Sequence, residues 1–144
     1  MIDFQRLKDI REDNDINQNQ MAKILGTPRS TYSLWEIGIS IIPIKHLVNF
    51  ANYFNISIEY ALGLTNIKEK NELIKLDLIQ LGNNIKHLRK QHNLSQNELA
   101  LLLGVTQSCI TKYEKGKRYI PTEKLYKLAK KFNITITKLC SNIE

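Results

Sequence analysis

Positive charge is distributed unevenly along this chain of 144 residues, whose formal net charge is +7. Residues 1–66 contain six Lys or Arg and seven Asp or Glu, which gives a net charge of −1. Residues 67–144 contain fifteen Lys or Arg and seven Asp or Glu, which gives a net charge of +8. Such an excess of cations on one domain attracts polyanions, nucleic acid above all. The charge pattern therefore predicts a polyanionic partner that is held mainly by the second half of the chain.

The other reactive side chains form no pattern that would support catalysis or metal binding. Cys109 and Cys140 lack metal-ligand spacing, and a reduced setting is the simpler interpretation of so few cysteines. Cys109 could act as a redox switch, but nothing visible in the sequence supplies a resolving partner, so a small packing residue is the simpler interpretation. The three histidines are scattered along the chain. We therefore predict no enzyme activity, no catalytic residue, no cofactor and no metal site.

The sequence also lacks signals for a membrane. No apolar segment approaches the roughly 20 residues that a membrane-spanning helix needs. The N-terminal residues lack the basic, apolar and small-residue order of a secretory signal. We therefore expect a cytoplasmic protein with no membrane association.

The chain contains an internal repeat. Residues 6–63 and 84–141 align without a gap at a constant offset of 78, and 18 of the 58 aligned pairs are identical. A repeat of this length exceeds a solenoid unit and has the size of a small domain. The sequence therefore predicts two similar domains rather than one large one.

The predicted boundaries follow from the limits of the repeat. We expect a first domain at residues 1–65, a linker at residues 66–77 and a second domain at residues 78–144. The linker has amphipathic helical character, because it carries three apolar residues at helical spacing, Leu73, Ile74 and Leu76.

Local signals predict five short helices in each repeat and no strand. Ser95 and Glu98 form a capping box that begins one helix, and this helix ends at Gly104, where glycine tolerates a positive φ. Thr106 can cap the helix that follows at once. Two helices separated by a tight, glycine-containing turn are typical of the helix-turn-helix motif. The first repeat has counterparts of these signals in Asn17, Gln20, Gly26 and Pro28, the last as the first helical residue.

The remaining helices are predicted in pairs. The first helix of each repeat is expected at roughly residues 4–14 and 78–92. The fourth helix is expected from Pro43 to Asn55 and from Pro121 to Asn133. The fifth helix is expected to begin after the caps Ser57 and Thr135.

Five polar or turn residues recur at the same spacing in both repeats: a glutamine, a glycine, a glutamate, a second glycine and a proline. In the second repeat they are Gln96, Gly104, Glu114, Gly116 and Pro121. In the first repeat they are Gln18, Gly26, Glu36, Gly38 and Pro43. With this set, both repeats resemble the helix-turn-helix domains of the Cro and phage-repressor class, the xenobiotic-response-element family. The resemblance covers about four-fifths of the chain. It implies an all-α protein with two lambda-repressor-like, five-helix domains and a short, partly helical linker.

In that family the third helix enters the major groove of DNA. The resemblance therefore implies that the second repeat reads bases with Gln107, Ser108 and Lys112, since Gln can pair with adenine and Lys with guanine. It also implies phosphate contacts from a second set of residues, Gln96, Thr106, Lys115, Lys117 and Arg118.

The first repeat departs from this pattern where DNA would be held. Leu34, Ile37, Ile39 and Ser40 replace Lys112, Lys115, Lys117 and Arg118. Arg29 and Ser30 could still read bases and Gln18 could contact a phosphate, but few cations remain.

The substituted segment of the first repeat is strongly apolar. Trp35 and Ile42 match Tyr113 and Ile120 and are expected in the core. Other isoleucines replace Lys, Lys, Tyr and Thr of the second repeat, so we expect them to be exposed and to form a dimer interface. These residues are Ile37, Ile39, Ile41 and Ile44.

These patterns predict a sequence-specific regulator of transcription, a repressor, that binds double-stranded DNA as a homodimer. The second domain would read the major groove, and the first would bind a partner copy or add weak DNA contact. The alternative is a protein-interaction module, such as an antitoxin or a phage-encoded inhibitor, that autoregulates its own gene. The sequence does not identify a further protein partner.

Overall fold

The computed structural model describes residues 1–68 and 72–141, and these form two compact units, Met1–Leu73 and Ile74–Glu144. The boundary between the units falls inside the predicted linker. All regular secondary structure of the described residues is helical, as the sequence predicted. Within the same residues, none of the helices combines the length and the apolar character that crossing a membrane requires.

Each unit contains five helices in its described part, in matching order. The first unit comprises α1 (Gln5–Asp13), α2 (Gln18–Leu25), α3 (Arg29–Ile37), α4 (Ile44–Phe54) and α5 (Ile58–Ala61). The second comprises α6 (Leu78–Gln91), α7 (Gln96–Leu103), α8 (Gln107–Glu114), α9 (Thr122–Lys131) and α10 (Ile136–Leu139).

The predicted caps fix the ends of the α7–α8 pair. The Ser95 hydroxyl accepts a bond from the Glu98 amide, and the Glu98 carboxylate accepts one from the Ser95 amide, both at 3.0 Å. Gly104 ends α7 with φ of 68°, in the left-handed region that glycine tolerates. The Thr106 hydroxyl then accepts a bond from the Cys109 amide at 3.2 Å and starts α8. Both helices and their turn are therefore set by local hydrogen bonds.

The prolines lie one position earlier than predicted. Pro28 is the N-cap of α3 and not its first helical residue, because its ψ of 146° is extended. Its carbonyl accepts the first helical bond from Tyr32, as an N-cap does. Pro43 and Pro121 likewise precede α4 and α9.

Each unit buries its own set of large apolar side chains. The first set includes Leu7, Met21, Tyr32, Trp35, Ile42, Leu47 and Phe50. The second set includes Leu81, Ile85, Leu99, Leu103, Ile110, Tyr113, Ile120 and Leu125. The predicted burial of Trp35 and Ile42 is confirmed.

The predicted helical character of the linker is wrong for residues 72–77, which contain no helix. Ile74 is buried and Leu76 half-buried, while Lys75 and Asp77 are exposed, and this alternation is that of an extended segment. The Asp77 carboxylate accepts bonds from the amides of Ile79 and Gln80, so α6 begins only at Leu78. Residues 69–71 lie outside the described residues.

The first helix of each unit approaches the third differently. A Cβ at Gly82 of α6 would lie 2.4 Å from the Tyr113 carbonyl oxygen, so only glycine permits this approach to α8. Phe4 occupies the matching position of the first unit, and its ring lies 2.7 Å from where Gly38 would carry a Cβ. The first unit therefore has a phenylalanine side chain at the position where, in the second unit, glycine allows the backbones of α6 and α8 to approach closely.

Candidate nucleic-acid interface

The three predicted base-reading residues of the second unit lie together on the exposed side of α8. Gln107 and Ser108 are the first two residues of the helix, and Lys112 follows Ser108 by four positions, about one turn. All three are exposed. The opposite side of α8 buries Ile110 and Tyr113 in the core. The structure thus brings the candidates together, while base contact itself stays a prediction.

A buried ion pair anchors the C-terminal end of α8. Arg89 of α6 donates two hydrogen bonds to the carboxylate of Glu114, at 2.7 and 3.1 Å. Arg89 also donates to the carbonyl of Leu94, just before α7, at 2.8 Å. One guanidinium therefore connects α6, α8 and the segment that leads into α7.

Sequence reasoning overlooked this arginine, although a signal was present. Arg11 and Arg89 are one of the identical pairs of the repeat, as are Glu36 and Glu114. An identical arginine and an identical glutamate in two domains whose surfaces differ point to a shared internal contact.

Gln96 joins the network from the first turn of α7. Its side-chain amide donates to the Glu114 carboxylate at 3.1 Å and accepts from the Thr111 hydroxyl at 3.0 Å. Gln96 therefore connects the start of α7 to α8. A primary amide carries two N–H groups, so the bond to Glu114 leaves one for a phosphate. That phosphate contact stays a prediction.

The predicted phosphate cations follow directly after α8. Gly116 makes a tight turn with φ of 68°, and the Lys117 amide donates to the Lys112 carbonyl at 3.0 Å. Lys115, Lys117 and Arg118 are all exposed. Lys124 of α9 is a further cation that sequence reasoning missed, and its Nζ lies 3.7 Å from the position of a Cβ on Gly104. Positive charge thus flanks α8.

Thr106 and Cys109 are bonded to each other at the start of α8. The Thr106 hydroxyl donates to the Cys109 sulfur at 3.3 Å, and this bond lowers the pKa of the half-exposed thiol, with smaller effects from Arg118 and Lys112. A phosphate contact from Thr106 would therefore replace an existing bond. Neither Cys109 nor Cys140 forms a disulfide bond within the described part of the chain.

The first unit repeats the anchoring network. Arg11 donates to Glu36 at 2.7 and 3.0 Å and to the Ile16 carbonyl at 2.8 Å, and Gln18 donates to Glu36 at 3.1 Å. Burial raises the pKa of the Glu36 carboxyl, but Arg11, with smaller effects from the neighbouring Tyr32 and Gln18 side chains, outweighs burial and holds this pKa below its usual value. This network of one arginine, one glutamate and one glutamine, which we call the internal frame, is therefore the same in both units.

Tyr32 sits in the core of the first unit where the second has Ile110. Burial, with a smaller effect from Glu36, raises its pKa well above the usual value. The hydroxyl nevertheless lacks hydrogen-bond geometry toward any residue that the structure describes. The first unit thus carries a polar atom that its counterpart lacks.

The surface of the first unit differs from that of the second. Arg29 and Ser30 are exposed at the start of α3. Leu34, Ile37 and Ile39 are 37, 67 and 72% exposed. The predicted exposure of Ile37 and Ile39 is confirmed, and their place in an interface stays a prediction.

The predicted exposure of Ile44 is wrong. Ile41, which was also predicted to be exposed, is half-buried. Ile44 is 1% exposed because it opens α4 with its side chain in the core. Its counterpart Thr122 is equally buried, at 1%. A threonine in the second repeat was therefore no sign of an exposed position.

A cleft of about 450 Å³ lies beside Ile37 and the N-terminal end of α1. Its lining consists of Ile2, Asp3, Phe4, Gln5, Lys8, Gln18, Glu36 and Ile37.

Comparison with known proteins supports the assignment of both units to the helix-turn-helix family. A family model described as helix-turn-helix matches residues 7–60 and 85–139. The chain is 47% identical over 57 residues to the uncharacterized HTH-type transcriptional regulator MJ0272 of Methanocaldococcus jannaschii, covering 39% of this chain and 85% of that protein. It is 34% identical over 67 residues to the control protein C.MunI of Mycoplasma sp, covering 46% and 90%.

A third relative is the antitoxin PezA of Streptococcus pneumoniae. The chain is 38% identical to it over 55 residues, covering 38% of this chain and 35% of the antitoxin. The chain thus spans about a third of the antitoxin's length.

Proposed function

Because the chain belongs to the helix-turn-helix family, we propose that it is a sequence-specific regulator of transcription that binds double-stranded DNA. The second unit would read the major groove through α8. One observation carries this proposal: the exposed base-reading candidates lie on α8, and exposed cations follow directly after this helix. Gln107, Ser108 and Lys112 supply the groups for base edges, and Lys115, Lys117 and Arg118 supply charge for phosphates.

The internal network supports the proposal, because reading bases requires a rigid helix. Arg89 and Gln96 both bond to Glu114 at the end of α8. A side chain on a helix that is held at its C-terminal end and capped at its N-terminal end keeps a fixed position relative to a base edge.

We further propose that the protein works as a homodimer in the cytoplasm. A single small module contacts few base pairs, and two half-sites supply the specificity that regulation requires. We expect repression as the outcome, because a dimer bound across a promoter would exclude the polymerase.

Footprinting on the DNA upstream of the chain's own gene tests the proposal. The expected result is a protected site with two related halves, whose affinity falls steeply with salt. Uniform, weak binding to all DNA, with no protected site, would contradict a sequence-specific regulator.

A second candidate function is an antitoxin-like protein that binds a protein partner and regulates its own gene. The similarity to the antitoxin PezA favours it, together with the exposed apolar surface of the first unit. Tight binding to the product of a neighbouring gene, with only weak affinity for DNA, would support this candidate over the first.

A further inference from the structure

The first unit exposes apolar side chains where the second unit carries cations. We name Leu34, Ile37 and Ile39 the apolar surface. Ile37 and Ile39 are more than 60% exposed, at 67 and 72%. Neighbouring exposed isoleucines of this kind mark an interaction surface.

The fold itself does not require these isoleucines. Lys115 and Lys117 occupy the matching positions of the second unit, where the Arg–Glu–Gln network has the same bonds. The backbone after the helix also matches, since the Ile39 amide donates to the Leu34 carbonyl as Lys117 donates to Lys112. A cation is thus compatible with this local structure, and the apolar side chains need another explanation.

The apolar surface combines a projection with a recess. Ile39 is 72% exposed, and the adjoining cleft of about 450 Å³ has an apolar part formed by Ile2, Phe4 and Ile37. The rest of its lining is polar and consists of Asp3, Gln5, Lys8, Gln18 and Glu36. A surface that carries both parts can meet a copy of itself around a twofold axis, because each copy supplies one projection and one recess.

The charge of the first unit also favours a second copy as the partner. Residues 1–66 have a net charge of −1, so two such units approach without strong repulsion. Two copies of the matching surface of the second unit, Lys112, Lys115 and Lys117, would instead bring six cations together, three from each. The chemistry of the substituted positions therefore suits self-association and disfavours DNA.

We propose that two copies of the chain associate through the apolar surfaces of their first units, with Ile39 of each copy in the cleft of the other. The C-terminal end of α3 is then covered by the partner copy and is withdrawn from DNA. The second units are left to bind DNA as a linked pair. This inference rests on the homodimer of the proposed function. Association needs no DNA, so its tests are independent of the proposed DNA binding.

Sedimentation equilibrium of the full chain without DNA tests the surface. Ile39→Lys should raise the dimer dissociation constant by at least about 30-fold, since a twofold axis makes each substitution count twice. Leu101→Lys is the matched control, because Leu101 of α7 is 77% exposed and receives the same charge. Ile39→Ser is a milder variant at the same position, and circular dichroism establishes that each variant is folded.

A monomeric parent chain would overturn the proposal. So would a folded Ile39→Lys variant that dimerises as tightly as the Leu101→Lys control. Retained binding of non-specific DNA by the monomeric variant would show that the second unit still works, which separates the two proposals.

Cross-linking tests the placement of Ile39 in the cleft. In a Cys109→Ser background, Ile39→Cys combined with Gln5→Cys should form more intermolecular disulfide than either cysteine alone, because Gln5 lines the cleft. Equal cross-linking by Ile39→Cys alone would place the two isoleucines against each other and overturn the cleft geometry.

Discussion

The two units of this chain share an internal frame and differ at the surface that it supports. Arg11, Gln18 and Glu36 make the same bonds as Arg89, Gln96 and Glu114, with distances that agree within 0.1 Å. Outside the frame, four side chains change from cations to three apolar residues and a serine. The difference teaches that the buried network sets where the third helix lies, while the exposed residues decide what it meets. Under the two proposals, one scaffold serves DNA in the second unit and a protein surface in the first.

Breaking the frame should have the largest effect and should act on one unit at a time. Arg89→Met leaves the buried carboxylate of Glu114 without its counter-ion, which should cost the second unit about 3–5 kcal/mol of stability. Arg11→Met should do the same to the first unit. Hydrogen exchange assigned to each unit measures the two losses separately.

The matched control removes both charges at once. Arg89→Met with Glu114→Leu should recover most of the stability, because no charge is left buried alone. Equal protection of both units in every variant would contradict a frame that acts within each unit.

Removing the loop cations should lower DNA affinity for all sequences. Alanine at Lys115, Lys117 and Arg118 removes three expected phosphate contacts, so binding should weaken by about 10- to 100-fold and the salt slope should fall by about 2.7. Titration at several salt concentrations measures both. The control is Arg29→Ala with Lys45→Ala in the first unit, which should change little; equal losses from the two sets would show that the units share the DNA.

Gln107→Ala sharpens the comparison at the level of base reading. If Gln107 pairs with a base edge, the variant should lose about 1–3 kcal/mol on the best site and little on unrelated DNA. Arg29→Ala at the matching position of the first unit should leave this preference unchanged. A uniform loss on every sequence would make Gln107 a positioning residue.

The smallest effect is expected inside the first core. Tyr32→Phe removes a buried hydroxyl that lacks hydrogen-bond geometry, so stability should be unchanged or rise slightly. Chemical denaturation of the first unit measures this. A fall in the free energy of unfolding of more than about 1 kcal/mol would mean that the Tyr32 hydroxyl bonds to Glu36 in solution. The first core would then contain a hydrogen bond that the second core, with Ile110 at this position, lacks.

The sequence by itself determined the helices and most of their ends. Capping joins groups only three residues apart, such as Ser95 with Glu98 and Thr106 with Cys109, so the pattern of types suffices to predict it. The repeat added the order of elements and the core positions Trp35 and Ile42. The linker was mispredicted because apolar spacing alone does not separate a short helix from an extended segment with alternating burial.

The tertiary structure alone decided which distant residues meet and which isoleucines are exposed. Arg89 and Glu114 are 25 residues apart, and their pairing depends on how α6 packs on α8. Ile44 is buried while Ile37 and Ile39 are exposed, although all three replace polar residues of the second repeat. The cleft is lined in part by Phe4, which aligns with Gly82 of the second unit and packs its ring against Gly38. Local propensity acts over a few residues, whereas burial and long-range hydrogen bonds arise only from the packing of helices against one another.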